Sequence, residues 1–155
     1  MGKKPQKRIR ASRVLFVIYC AAMLWLLFCR SPGWIPGLDY EEQLRANINL
    51  VPLYTIKNYL QVVMKRTNDD VLLHCIINLG GNVLLFIPAG VLLPKIWPKQ
   101  RNFFRFFATC AGIMFLVEVL QLFTLLGSFD IDDLILNLIG MTLGFIGYHL
   151  FRRKK

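Results

Sequence analysis

Hydrophobic positions along this chain fall into long unbroken runs separated by short polar stretches. Crossing the hydrocarbon core of a bilayer takes about 20 apolar residues at about 1.5 Å of rise each. Four runs reach or approach that length: residues 14–29, 71–94, 103–126 and 131–151. Each predicts a membrane-spanning helix. The first is short but can extend, and no small-x-small cleavage site follows it, so an uncleaved anchor is expected. Between the first two runs the pattern changes. Ser31-Pro32-Gly33-Trp34-Ile35-Pro36-Gly37 is rich in turn formers and carries an interfacial Trp. Ile56, Tyr59, Leu60, Val63 and Met64 then recur at helical spacing, with Lys57, Asn58, Gln61 and Lys65 on the opposite face. That period predicts an amphipathic helix, lying on the membrane surface or packed on the bundle.

Charge orients these spans. Lys3, Lys4, Lys7, Arg8, Arg10 and Arg13 precede the first run with no acid among them. Lys95, Lys99, Arg101 and Arg105 lie between the second and third, and Arg152, Arg153, Lys154 and Lys155 follow the last. Cytoplasmic flanks of membrane helices accumulate Lys and Arg, so both termini are expected inside. The expected architecture is an all-α polytopic transmembrane bundle of four helices, N-in/C-in. Its extracytoplasmic loop carries the amphipathic interfacial helix. Residues 1–13 form a basic cytoplasmic N-terminus, 14–151 the transmembrane domain and 152–155 a basic tail. The expected location is the cytoplasmic membrane, with lipids as partners. A net charge of +10 invites a nucleic-acid reading. The placement of that charge, and the lack of a basic motif interleaved with aromatics, argue against nucleic acid as a partner. Composition agrees: 55% of residues are hydrophobic, 18% are charged and the mean hydropathy is +0.49. Cys20, Cys29, Cys75 and Cys110 all lie in apolar runs without C-x-x-C spacing, so no metal or redox cofactor is expected.

Polar residues inside the spans are expensive and need a partner or a role. His74, Asn78 and Asn82 repeat every four residues in the second span. Glu118 and Gln121 are one turn apart in the third. Asp133, Asn137, Gly140 and Gly144 share a face in the fourth, with Asp130 and Asp132 at its start. In the N-in/C-in arrangement Glu118 lies ~12 Å below the outer boundary and Asn82 ~16 Å. The buried polar groups therefore gather in the outer half, and the inner half is oily. Asn and Gln can act as interhelical glue, and Gly80, Gly81, Gly140 and Gly144 can let backbones approach. Glu118 is harder to read as glue. Four converging carboxylates repel, so protonation or a compensating cation is required. Asp130 can also cap the fourth helix, with Asp132 and Asp133 favourable at its positive end. Residues 78–88 and 137–147 match at six of eleven positions, which suggests a parallel repeat of helix hairpins.

These motifs resemble the VanZ-like family of bacterial membrane proteins from Asn47 onward. Asn49, Leu50 and Pro52 match the family's Asn-Leu-x-Pro-Phe segment, with Leu53 in place of Phe. Asn82 through Phe86, Pro88 and Gly90 is similar to its Asn-x-x-x-Phe-x-Pro-x-Gly signature, and Glu118 with Gln121 to its Glu-x-x-Gln. Asp130, Asp133, Asn137 and Gly140 look like its Asp-x-x-Asp-x-x-x-Asn-x-x-Gly block. Many relatives carry an Arg shortly before that block, where this chain reads Leu126-Gly127-Ser128. The resemblance implies a link to low-level resistance to teicoplanin, a lipid-tailed glycopeptide, without a settled biochemical mechanism.

The resulting expectation is an outer-leaflet cleft of Glu118, Gln121, Asp130, Asp132, Asp133, Asn137, Asn78 and Asn82. His74 stands at its edge, and Asn49 with Pro52 shapes the covering loop. Such a cleft would bind a lipid-linked cell-wall precursor or a lipoglycopeptide. A membrane enzyme acting on a lipid head group and a small transporter or flippase stay open as alternatives. Paired carboxylates could serve acid–base chemistry, but no nucleophile elbow, H-E-x-x-H or phosphate-cradling loop accompanies them, so the sequence leans against an enzyme.

Overall fold

The computed structural model describes residues 4–29, 33–65 and 69–153. The side chains of residues 4–8, His74 and Arg153 are outside that description. The described residues form six helices: α1 Lys4–Cys29, α2 Tyr40–Ala46, α3 Tyr54–Lys65, α4 Asp69–Ile96, α5 Phe103–Thr124 and α6 Ile131–Arg153. A 3-10 turn, Pro98–Arg101, joins α4 to α5. Among the described residues, four helices are long and apolar enough to cross a membrane, over Ile9–Cys29, Asp69–Ile96, Phe103–Thr124 and Ile131–Arg152. This is the all-α, four-span bundle expected from the hydrophobic runs. α1 begins well before Val14, because Lys, Arg and Gln are good helix formers and nothing in the basic flank stops the helix.

The helices pack with α4 against α6 as the principal contact. Gly140 lies against the backbone of Val83, and Gly144 against that of Ile87 and Gly90. Advancing four residues on one helix advances four on the other, so α4 and α6 run parallel. A Cβ at Gly140 or Gly144 would fall on the facing carbonyl, so only glycine permits this approach. Gly80 and Gly81 face open space instead and are not packing glycines. α1 joins through α4. Pro88, inside α4, has no N–H for the carbonyl of Leu84. Beside that weakened turn the Tyr19 hydroxyl donates to the Leu85 carbonyl at 2.9 Å.

One end of the bundle holds Lys95, Lys99, Arg101, Arg105 and Arg152; we call it the basic end. The other, the loop end, carries α2, α3 and the α5–α6 turn. The apolar core lies toward the basic end: Met23, Phe86, Ala89, Leu93, Phe106, Cys110, Met114, Leu138, Met141 and Phe145. Phe106 is fully buried, and its ring packs 4.7 Å from that of Phe145. Cys75 and Cys110 are buried free thiols, whereas Cys29 is exposed. Outward faces are apolar, with Val17, Ile18, Leu84, Phe115, Leu116 and Leu143 exposed, as lipid contact requires.

At the loop end the chain between α1 and α4 folds over the bundle. α2 starts with a capping box in which the Asp39 side chain accepts from the Glu42 N–H and Glu42 accepts from the Asp39 N–H. Gln43, 1% exposed, holds the preceding turn: its amide donates to the Ile35 carbonyl and accepts from the Ile35 N–H. A two-residue parallel bridge then pairs β1 (Ile48–Asn49) with β2 (Phe129–Asp130). It ties the loop directly to the start of α6. α3 follows as the amphipathic helix that the period predicted, packed on α4 and, more lightly, on α6.

Candidate functional site

Beneath that loop lies a cavity of about 600 Å³. Each wall comes from a different element. α4 contributes Asn78 and Asn82, α5 Glu118 and Gln121, and α6 Asp133 and Asn137. Asp130 stands at the α6 start, and Leu26 and Leu27 close one side from α1. The loop supplies Gly33, Asn47, Thr55 and Tyr59, and the α5–α6 turn supplies Leu126, Gly127 and Ser128. Seven of the ten residues expected at a cleft thus share this cavity: Glu118, Gln121, Asp130, Asp133, Asn137, Asn78 and Asn82.

Side-chain bonds hold the polar walls in place. Asn82 donates to Asp133 Oδ1 at 2.6 Å, linking α4 to α6. Gln121 donates to the Leu27 carbonyl at 2.7 Å, pinning the end of α1 to α5. Asn78 donates to the Tyr59 hydroxyl at 3.2 Å, tying α3 to α4. Glu118, 3% exposed, accepts from the Asp130 N–H at 3.2 Å. Asn137 is 2% exposed, and its side-chain oxygen has no hydrogen-bond donor among the described residues. An unmet buried acceptor of this kind is costly and calls for a physical reason.

Asp130 does what its position suggested and more. Its Oδ1 accepts from the Asp132 N–H at 2.8 Å, capping α6. The same oxygen accepts from Asn49 at 3.1 Å, and Oδ2 accepts from Thr55 at 2.7 Å. Asn49 also donates to Thr55 and accepts from the Val51 N–H, forming the tight turn over the site. Asn49 therefore supports the wall without lining the cavity.

Asp132 corrects the sequence expectation. It does not line the cavity, and it is completely buried. Its two oxygens accept from the Leu53 N–H at 2.5 Å and the Ile56 N–H at 3.1 Å. Those donors flank the start of α3, Leu53 just before it and Ile56 in its first turn. Leu53 sits at φ 64°, the left-handed region that non-glycine residues avoid, and the Asp132 bond holds it. Successive residues of a helix point about 100° apart. Asp132 therefore reaches α3, while Asp133 reaches the cavity and Asn82. The edge position expected for His74 falls outside the described side chains.

Sequence reasoning missed Thr55, Tyr59, Asn47 and Ser128. Tyr59 counted only as part of an apolar stripe, and Thr55 gave no signal. Asn47 stood two residues from Asn49 and was read only as part of its segment. It donates to the carbonyls of Gly33 and Gln43 at 2.6 and 3.0 Å, joining the two arms of the loop. Gly33 in turn donates to the Leu125 carbonyl and passes so close to Gly127 that no side chain fits at Gly33.

Among the described residues, the cavity lining holds three carboxylates and no Lys, Arg or His. Among the described residues, no three His, Cys, Asp or Glu side chains stand close enough together to hold a metal ion. Fold and site together define the class: a multi-pass helical membrane protein with an acidic, amide-lined cavity at one end of its bundle. The chain belongs to the VanZ/LLP1 family, whose model matches residues 16–152. It is 27% identical over 141 residues to Protein VanZ of Enterococcus faecium, covering 90% of this chain and 73% of that one. No solved structure matches it. The family read from the Asn, Glu and Asp motifs is thus the right one, and most of those motif side chains meet at the cavity.

Proposed function

We propose that the cavity opens toward the outer leaflet of the cytoplasmic membrane. There it binds the head group of a lipid-linked envelope molecule or of a lipoglycopeptide, and so contributes to teicoplanin resistance. The observation that carries this reading is the polarity of the cavity. Ionisable and amide side chains are buried between membrane-spanning helices, where a purely structural bundle would place apolar ones. Its volume lies within the range of about 300–1,000 Å³ typical of small-ligand sites, which suits a head group and not a whole glycopeptide. The basic flanks support a cytoplasmic basic end, which turns the cavity outward. Core packing around Phe106 and Phe145 below the cavity favours a binding site closed at the basic end over a path through the protein.

The test is glycopeptide susceptibility in cells that carry Glu118→Ala or Asp133→Ala, with protein in the membrane fraction measured alongside. Both variants should lose resistance at unchanged abundance. Normal resistance in both rejects the site.

A further inference from the structure

The hydrogen-bond directions inside the cavity say which chemistry it can receive. Five amides line it, and four of them turn the nitrogen toward a protein acceptor. Asn47 commits both hydrogens to the Gly33 and Gln43 carbonyls. Asn78 donates to Tyr59, Asn82 to Asp133 and Gln121 to the Leu27 carbonyl. Thr55 donates to Asp130. The acceptors are less fully matched. Asp130 has donors on both oxygens, whereas Glu118 and Asp133 each use one: Oε2 for the Asp130 N–H, and Oδ1 for Asn82. The second oxygen of each has no protein donor among the described residues. Asn137, almost wholly buried in the same wall, has a side-chain oxygen with no donor among the described residues. Among the described side chains, none that lines the cavity is a cation to balance its carboxylates.

An unfilled need for hydrogen donors together with positive charge matches one common group. An ammonium carries three donors and no acceptor, and its bonds to carboxylates are charge-assisted. A phosphate would bring more acceptors and like charge. A neutral hydroxyl brings a donor but leaves the charge unbalanced. We infer that the cavity selects a primary ammonium group on its membrane-borne ligand, with Glu118 and Asp133 as the receiving carboxylates. This rests on the reading of the cavity as a head-group site, and it names the part of the ligand that is recognised.

The probes are four C12 chains with a photoreactive diazirine near the head, ending in a primary ammonium, a trimethylammonium, a hydroxyl or a phosphate. Each is crosslinked to the full-length protein in nanodiscs of uncharged lipid. Labelled peptides from the cavity-facing parts of α4, α5 and α6 are quantified by mass spectrometry. Bonds from an ammonium to carboxylates are charge-assisted, so the primary ammonium should label these peptides at least about tenfold above the hydroxyl and phosphate probes. The trimethylammonium, which has charge without N–H donors, should fall below the primary ammonium. Glu118→Gln should remove most of the preference. Ser128→Arg places a cation at an exposed position on the rim, where folding is not at stake, and should shift labelling from ammonium to phosphate. Equal labelling by ammonium and hydroxyl, equal labelling by the two cations, no cavity labelling, or an unchanged pattern in Ser128→Arg overturns the inference. If Glu118→Ala loses resistance while labelling shows no head-group preference, only this inference fails. If the preference holds while resistance is normal in both alanine variants, the resistance reading fails and the ammonium site stands.

Discussion

Asp132→Ala tests how the loop is held over the cavity. Asp132 is fully buried and receives two backbone N–H groups from the start of α3. Hydrogen bonds to a charged group contribute about 1.5–3 kcal/mol each. Removing both, with part of the loss offset by water reaching the freed amides, should destabilise the docked α3 by roughly 3–4 kcal/mol. At 1.4 kcal/mol per factor of ten, transient opening should rise by about 100- to 1,000-fold. Hydrogen exchange of the protein in nanodiscs reads this directly. Amides of α3 beyond its first turn should lose two to three orders of magnitude of protection, while α4 and α6 stay within a few-fold of the parent. Asp132→Asn keeps one acceptor oxygen and should lose about half as much in free energy. Leu53→Gly removes a left-handed penalty of about 1–2 kcal/mol and, with Asp132 intact, should not weaken α3 by more than glycine's added chain freedom. The reasoning is refuted if Asp132→Ala leaves α3 protection within threefold of the parent. A loss spread evenly over all helices refutes it too, since that would make Asp132 a general stability residue.

Gly140→Ala pushes a methyl into the Val83 carbonyl and should destabilise the bundle by about 1–3 kcal/mol, whereas Gly81→Ala meets open space and should be neutral or stabilising. Unfolding of both variants in mixed micelles checks the contrast. Asn82→Leu breaks the bond to Asp133 and should cost about 0.6–2 kcal/mol, most of it absent when Asp133 is already Ala; a double-mutant cycle measures that coupling. In a chain freed of its four cysteines, Lys57→Cys should react with an impermeant maleimide on intact cells. Lys99→Cys should react only after permeabilisation. The opposite result would invert the proposed orientation.

The spans were legible because hydrocarbon thickness imposes a length and an apolar composition that few other structures share. Their ends were less so. The last span runs as read, but α5 stops at Thr124 and not at Leu126, because Leu125 takes a left-handed C-cap at φ 53° that the sequence would signal only through Gly or Asn. Missing α2 is different in kind. Asp39 and Glu42 stand at the spacing of a capping box, so the signal was present, in a seven-residue helix without an apolar period. Nothing local announces the β1–β2 bridge, since two residues paired across eighty positions carry no period of their own.

The acidic block shows where linear reading meets its physical bound. Asp130, Asp132 and Asp133 lie within four residues, and grouping them as one acidic wall is the natural reading. Helical geometry separates them. Asp130 faces back toward the cap, Asn49 and Thr55, Asp132 turns outward to hold α3, and Asp133 remains on the cavity with Asn82. Two of the three carboxylates therefore have backbone N–H partners, and Asp133 has none among the described residues. The cost of burying charge is thereby met locally at Asp130 and Asp132, where a ligand would gain little. It is left open at Asp133 and at Glu118, which faces the same cavity from α5. The site is defined less by how many acids the chain collects than by which of them the fold leaves short of donors.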